Sequence, residues 1–189
     1  MNKIPVIIDA LCYALTKLHK IDKIHLVKIM YLADKYHIMH YGRTISRDDF
    51  FALQNGPAGS YTMDVLEFDS YVLGEYMEHA KDLIETSGEL EYKPSDKCLI
   101  DDFGMISESD IEALDFAIEN FGNMDKWDVV NYTYKLEEWK QFEHLFRNKK
   151  TKRESIKITD LLLSPNDKYF SIPEEHIEES RQIATGSID

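Results

Sequence analysis

The spacing of apolar residues predicts a mostly helical chain. Residues 5–19 have apolar side chains at helical spacing, with Pro5 in the first turn, where a helix tolerates it. Asp22 can cap a second helix running from about Lys23 to Tyr41, and Gly42 marks its end. The predicted buried stripe of this second helix is formed by Leu26, Met30, Ala33 and His37.

Three later stretches also have helical spacing. One is predicted from Ser60, as a possible N-cap, to about Ile84. Another begins at Ser107 or Ser109, where each serine is followed three residues later by an acidic residue, as in a capping box. This helix is expected to stop at Gly122, and a further amphipathic segment covers residues 125–147.

Two short stretches predict strands instead. Leu90 and Tyr92 alternate with polar residues, a Pro94-Ser95-Asp96 turn follows, and the apolar stretch 98–100 comes after it, which is typical of a hairpin. A lone hairpin is marginally stable, and Phe51–Leu53 can supply a third strand to support it. The predicted fold class is therefore mainly α: a compact helical domain with a small antiparallel β-hairpin or sheet (α+β). The domain is predicted over residues 1–147, followed by a basic linker and C-terminal tail over 148–189.

The distribution of charge narrows the choice of partner. The net charge is −13, and residues 51–125 contain 18 acidic but only 3 basic side chains. Such a segment repels phosphate and suits either a solvated face or the basic surface of a partner. Direct nucleic-acid binding is therefore disfavoured, and a DNA-binding autoregulator is kept only as an alternative.

The chain contains no known nucleotide-binding or nucleophile motif, and no cofactor is predicted. The glycine-rich stretch around Gly56-Pro57 lacks the lysine of a phosphate-binding loop, so it is interpreted as a structural reversal from strand to helix. His37 and His40 share a helical face and suggest an alternative, a metal-dependent hydrolase or nuclease, although no third ligand is evident. Cys12 and Cys98 have no metal-site spacing and are expected to be reduced, in a cytoplasmic protein without a membrane span or signal peptide.

The stretch from Lys28 to Ser60 resembles the signature of the SocA-like, or Panacea, domain family, also known as phage-associated GepA-like proteins. A looser match covers residues 107–142, where Thr133 and Trp139 fit the family's Thr-His-x4-Trp pattern and Tyr134 takes the place of its histidine. The resemblance extends over about residues 5–145. The matching residues of the first stretch are Lys28, Tyr31, Ala33, Asp34, His37, Tyr41, Gly42, Ile45, Asp48, Phe50, Ala52, Gly56, Pro57 and Ser60.

This resemblance implies an antitoxin of a bacterial or phage toxin–antitoxin pair. Such a protein would not be an enzyme; it would neutralise a toxin encoded by a neighbouring gene through direct binding, and in some members it delivers the toxin to a protease. We expect Asp34, His37 and Asp48 to hold a rigid frame by hydrogen bonds, with exposed aromatic and acidic residues contacting the toxin. The predicted framing or partner-binding residues are Tyr31, Asp34, His37, Asp48, Phe50, Gly56, Pro57 and Trp139. The apolar run at 158–163 either packs back on the domain or contacts the partner.

Overall fold

The computed structural model describes residues 2–100 and 102–186, and most of these residues lie in helices. The helices are α1 Lys3–Leu18, α2 Lys23–Tyr41, α3 Ser60–Leu66, α4 Ser70–Leu73, α5 Met77–Leu83, α6 Glu108–Phe121, α7 Lys126–Thr133, α8 Glu137–Lys140, α9 Glu143–Arg147 and α10 Glu174–Thr185. The strands are β1 Ile21–Asp22, β2 Phe50–Leu53, β3 Gly56–Gly59, β4 Ile84–Thr86, β5 Glu91–Pro94 and β6 Arg153–Ser155. Short 3-10 helices cover Gly74–Tyr76, Cys98–Ile100 and Ile158–Leu162. The predicted class, mainly α with a small antiparallel β part, is confirmed.

The first two helices and α6 form where the sequence predicts them. Asp22 caps α2 by accepting a hydrogen bond from the Ile24 amide at 2.8 Å, and Gly42 ends this helix with a left-handed φ of +69°. Ser107 caps α6 in a capping box with Asp110, and the helix ends directly before Gly122. These boundaries are set by local side-chain and backbone chemistry, which is why the sequence could predict them.

The second helix is buried on every side rather than along one stripe. It packs against α6, α7, α10, the β3 strand and the Ile158–Leu162 turn. Its buried side chains therefore include ionisable ones, listed here: His25, Lys28, Asp34, Lys35 and His37. The predicted apolar stripe is buried, but it describes only one of the faces that α2 presents to its neighbours.

The strands pair differently from the prediction. Phe50–Leu53 belongs to a sheet with strand order β3-β2-β6, whereas the second sheet has the order β1-β5-β4. The predicted hairpin around Pro94-Ser95-Asp96 is wrong, because β5 pairs with the preceding β4 and Cys98–Ile100 forms a 3-10 turn. The observed β4–β5 pair is supported by β1, where Ile21 pairs with Tyr92.

Two of the predicted long helices are interrupted. The segment from Ser60 to Ile84 breaks after α3, where Phe68 has a φ of +52° and Asp69 caps α4. The segment 125–147 divides into α7, α8 and α9. The apolar spacing continues through these breaks because each short helix still turns apolar residues toward the same core.

The segment 148–186 packs against the rest of the chain. Strand β6 pairs with β2, with Phe51 opposite Ser155, and the guanidinium of Arg153 lies 3.5 Å from the ring centre of Phe51. Phe170 is fully buried, and the Ser180 hydroxyl donates to the Met39 carbonyl at 2.8 Å. Within the apolar run at 158–163, Leu161 and Leu162 are buried and the 3-10 turn packs against α2 and α10. The boundary between 1–147 and 148–189 stays a prediction.

Cys12 and Cys98 form a disulfide bond, which corrects the expectation that both are reduced. The two Cα atoms lie 5.9 Å apart because the 3-10 turn at Cys98–Ile100 packs against α1. Their separation of 86 positions in the sequence hides this proximity from sequence inspection. Disulfides persist mainly in oxidising compartments, so the bond gives no support to the cytoplasmic location, which stays a prediction. None of the helices in the described ranges combines the length and the hydropathy that a bilayer-spanning segment requires.

Helix α3 is capped by a residue far from it in sequence. Its own N-cap, Gly59, makes no side-chain bond, and the predicted cap Ser60 is already inside the helix. The Asp48 carboxylate instead accepts hydrogen bonds from the Tyr61 and Thr62 amides, each at 2.8 Å, and from the Thr62 hydroxyl at 2.8 Å. Asp48 is buried, so these donors would otherwise be left without water or a partner.

We expect Asp48→Ala to lower the free energy of unfolding by about 2–4 kcal/mol, because it removes a cap and leaves buried donors unsatisfied. Asp69→Ala is the matched control: Asp69 caps α4 by accepting from the Tyr71 and Val72 amides at an exposed position. This control should lose only about 0.5–1 kcal/mol. Urea denaturation of both variants measures the difference, and equal losses would contradict the role given to Asp48.

Candidate functional site

The hairpin formed by β2 and β3, residues 50–59, is tied to α2, to α8 and to Tyr134, the residue that follows α7; we call it the Gly-Pro hairpin. The Lys28 ammonium donates to the Pro57 carbonyl at 2.6 Å. At the turn, the Trp139 indole N–H donates to the Leu53 carbonyl at 2.8 Å and the Tyr134 hydroxyl donates to the Gln54 carbonyl at 2.9 Å. Helix α2 therefore holds strand β3 of the hairpin, and the α7–α8 region holds its turn.

Gly56 and Pro57 lie within a strand, which corrects their interpretation as a reversal from strand to helix. The reversal is the two-residue turn Gln54-Asn55, and β3 then leads directly into α3. Gly56 has a φ of +94°, and a Cβ placed there would lie 2.6 Å from the Thr133 hydroxyl oxygen. Only glycine fits this backbone and this close approach.

Asp34 holds the loop that precedes the hairpin. Its carboxylate accepts from the Ser46 amide at 2.9 Å and from the Ser46 hydroxyl at 2.6 Å. Burial raises the pKa of Asp34 to about 7, although the hydrogen bonds from Ser46 act in the opposite direction. Burial also raises the pKa of Asp48, against the pull of its own donors. Both carboxyl groups thus act as buried acceptors for backbone amides.

His37 joins the end of α2 to the start of α6. Its Nδ1 lies 2.7 Å from the Arg43 carbonyl oxygen, so this nitrogen carries the proton and donates. Its Nε2 lies 3.1 Å from both the Ser109 hydroxyl and the Asp110 carboxylate. Burial favours the neutral carboxyl of Asp110, but hydrogen bonds from His37 and Ser107, together with the Arg43 cation, hold its pKa well below the usual range.

This cluster does not have the geometry of a catalytic triad. In a triad the carboxylate contacts Nδ1 and the serine contacts Nε2, so that the histidine relays a proton between them. Here the serine and the carboxylate share Nε2, and a backbone carbonyl takes Nδ1. The arrangement orients His37 and fixes the 43–46 loop against the α6 N-terminus.

His37 and His40 are not arranged as a pair of metal ligands. Both ring nitrogens of His37 are engaged, while His40 stacks on Tyr36 at 4.0 Å and meets the edge of His176 at 5.8 Å. Across residues 2–100 and 102–186, no group of three or more His, Cys, Asp or Glu side chains is placed to hold a metal ion. The two histidines therefore serve packing and hydrogen bonding in this structure.

A buried ion pair links α2 to α8 and to the tail. Lys35 and Glu138, both with fully buried side chains, lie 2.9 Å apart, and the Tyr31 hydroxyl donates to the same carboxylate at 2.9 Å. The Lys35 ammonium also donates to the Leu161 and Leu163 carbonyls, each at 2.8 Å. Tyr31 further meets Phe50 edge-to-face at 5.7 Å, which connects this pair to the Gly-Pro hairpin.

The predicted site residues thus divide between two ends of α2. Tyr31, Phe50, Gly56, Pro57 and Trp139 cluster at the Gly-Pro hairpin. His37 lies at the far end, roughly 13 Å along the helix from Lys28 at 1.5 Å per residue. Sequence reasoning missed four of the partners that hold these residues, namely Lys35, Ser46, Asp110 and Glu138. The capping-box pattern at Ser107 could have indicated Asp110; nothing local indicates the other three.

An acidic and aromatic surface lies beside this frame; we call it the acidic face. It is a shallow, open depression lined by Tyr36, Glu108, Ile111, Glu112, Asp115, Phe116 and Glu119. The rings of Tyr36 and Phe116 stack at 4.2 Å, and Glu112 accepts hydrogen bonds from Tyr36 at 2.9 Å and Tyr41 at 2.7 Å. These bonds from the two tyrosines lower the pKa of Glu112 and so favour its charged form.

A family model described as "Antitoxin SocA-like, Panacea domain" matches residues 26–140, which is more than half of the 189-residue chain. The matched range includes most of α2, the Gly-Pro hairpin, α6 and Trp139, and so contains the candidate site residues at both ends of α2. No match was found among curated proteins or among solved structures.

We predict that Asp34 makes stability depend on pH. Its pKa of about 7 in the folded protein lies above the value near 3.9 expected in the unfolded chain, so its stabilising contribution is complete below about pH 4 and is lost as the pH rises through 7. Between pH 5 and pH 7 this loss is on the order of 2 kcal/mol. Asp34→Asn should remove this part of the pH dependence.

Urea denaturation of the wild type and of Asp34→Asn at pH 5, 6, 7 and 8 measures the effect. The exposed Asp69→Asn variant is the control and should follow the wild-type curve. Parallel curves for the wild type and Asp34→Asn would show that Asp34 does not titrate in this window.

Proposed function

Because this chain belongs to the SocA-like, Panacea-domain antitoxin family, we propose that it neutralises a cognate toxin protein by direct binding. The match to residues 26–140 is the observation that carries this proposal. The protein would act by covering a surface of the toxin and not by converting a substrate. Delivery of the toxin to a protease, as the resemblance implies for some members, stays a prediction.

The acidic face is the surface that best suits such a partner. Glu108, Glu112 and Glu119 are exposed and follow one side of α6, with the partly buried Asp115 between them. Acidic side chains accelerate the encounter with a basic partner, while aromatic anchors contribute most of the affinity. The stacked Tyr36 and Phe116 provide such anchors beside the carboxylates.

The rigidity of the frame supports a binding role. A nanomolar complex needs about −12 kcal/mol, which an interface of roughly 1,600 Å² can supply when few groups have to be ordered on binding. Tyr36 and Tyr41 are already fixed by Glu112, and α6 is fixed to α2 through His37 and Asp110. The acidic face is therefore presented in a preformed arrangement.

We expect the product of a neighbouring gene to inhibit growth when expressed alone and to be harmless when expressed with this protein. The two proteins should also co-purify as a stable complex, because neutralisation by direct binding requires one. Growth assays with inducible plasmids, followed by affinity purification and mass measurement of the complex, test this. Rescue of growth without a complex would contradict direct binding, and the absence of rescue would contradict the antitoxin role.

We expect Glu108→Lys with Glu119→Lys to slow association with the toxin by about tenfold at low salt, and the effect should shrink as salt is added. The matched control is Glu75→Lys with Glu78→Lys, which changes the net charge equally at exposed positions outside the acidic face. Surface plasmon resonance at several salt concentrations measures the association rate. Equal slowing by both double variants would show that only the overall charge matters and would remove the acidic face from the interface.

A further inference from the structure

A small pocket opens between α2, the Gly-Pro hairpin and α3. Its volume is about 300 Å³, at the lower end of the range for small-molecule sites. Apolar side chains form most of its wall, and they are Ile24, Val27, Leu53, Ala58 and Met63. Lys28 also lines the pocket although it is only 2% exposed, and its ammonium lies 3.1 Å from the position that a Cβ on Gly56, another lining residue, would take.

The Lys28 ammonium has fewer partners than a buried cation needs. An ammonium has three N–H donors, and among the described residues one hydrogen bond satisfies them, the bond to the Pro57 carbonyl. No carboxylate of residues 2–100 or 102–186 lies within 4.0 Å of it, in contrast to Lys35, which is equally buried but paired with Glu138. A buried charge without a counter-ion is costly, so an anion at this point would be favoured.

The surrounding charges limit which anion fits. The second amine of the lining, Lys23, is already paired with Glu67. The Tyr31 hydroxyl, one helical turn along α2, donates to Glu138 and is neutral, and α7 contributes the neutral Thr133 beside Gly56. One negative charge is therefore matched by Lys28, whereas a second would find no unpaired cation among the lining side chains and would lie against the apolar wall.

We propose that this pocket binds a small aliphatic monocarboxylate, with its carboxylate paired to the Lys28 ammonium and its chain against Val27, Leu53 and Met63. The proposal goes beyond the antitoxin function and does not depend on it. A bound carboxylate would occupy the free donors of Lys28 while leaving its bond to Pro57 in place. The ligand would thereby stabilise the contact between α2 and the Gly-Pro hairpin.

Binding should be coupled to the protonation of Lys28. Burial without a counter-ion lowers the pKa of Lys28 to about 7, so the free protein at pH 8 has mostly the neutral amine. A carboxylate binds the protonated form, and its binding at pH 8 therefore requires proton uptake. Its dissociation constant should rise about tenfold from pH 6 to pH 8, whereas the affinity of a neutral ligand should stay constant.

Hexanoate and hexanamide, which have the same chain and differ in charge, are the probes. Titration of 13C-lysine-labelled protein, followed by the NMR signal of the Lys28 side chain, reports binding at pH 6, 7 and 8. We expect hexanoate to shift this signal and to bind at least tenfold more tightly than hexanamide at pH 6. Equal affinity for the two probes at pH 6, or no shift of the Lys28 signal with hexanoate, would overturn the proposal.

Lys28→Met keeps the length of the side chain and removes the charge, so it should lose the preference for hexanoate. Lys97→Met, at an exposed lysine paired with Asp82 outside the pocket, is the control and should bind as the wild type does. If Lys28→Met binds hexanoate unchanged, the site is refuted; if it does not fold, the comparison of the two probes on wild-type protein still decides.

A tripeptide ending in leucine, tested against its C-terminal amide, extends the comparison. A preference for the free acid would support the carboxylate site and show that a polypeptide terminus can also enter it, and equal binding of the two peptides would contradict pairing of a carboxylate with Lys28.

Discussion

The fold depends on the burial of a helix that still carries ionisable side chains. Helix α2 is surrounded on all sides, yet it brings Lys28, Asp34, Lys35 and His37 into the interior. A buried polar group without a partner costs more than a hydrogen bond gains, so each of these side chains constrains the segment that satisfies it. Lys28 fixes β3, Asp34 fixes the 43–46 loop, and His37 fixes the start of α6.

The pair of Lys35 and Glu138 shows how strong this constraint is. Replacing a buried pair by apolar side chains is often neutral, but removing one partner leaves a buried charge and costs about 3–5 kcal/mol. Lys35 also donates to two carbonyls of the segment 161–163, so the ammonium holds α8 and the tail on α2 at once. This is the reason why the tail belongs structurally with the core although its sequence looks like a separate extension.

The sequence predicted those parts of the fold that local chemistry determines. Asp22, Gly42 and Ser107 mark helix ends through bonds within a few residues, and their predictions are confirmed. It could not predict contacts whose partners are distant in the chain: Asp48 capping α3, β6 pairing with β2, or Cys12 meeting Cys98. Each of these depends on which segments α2 brings together, and apolar spacing contains no such information.

The same reasoning explains why most of the candidate site residues lie inside the fold. Asp34 and His37 bond to the 43–46 loop, and Asp48 caps α3. Most residues of the signature between Lys28 and Ser60 are buried, so a partner protein cannot reach them. Exposed residues such as Glu108 and Glu119 lie outside the buried network, so a partner protein can reach them and substitutions there leave the buried hydrogen bonds in place.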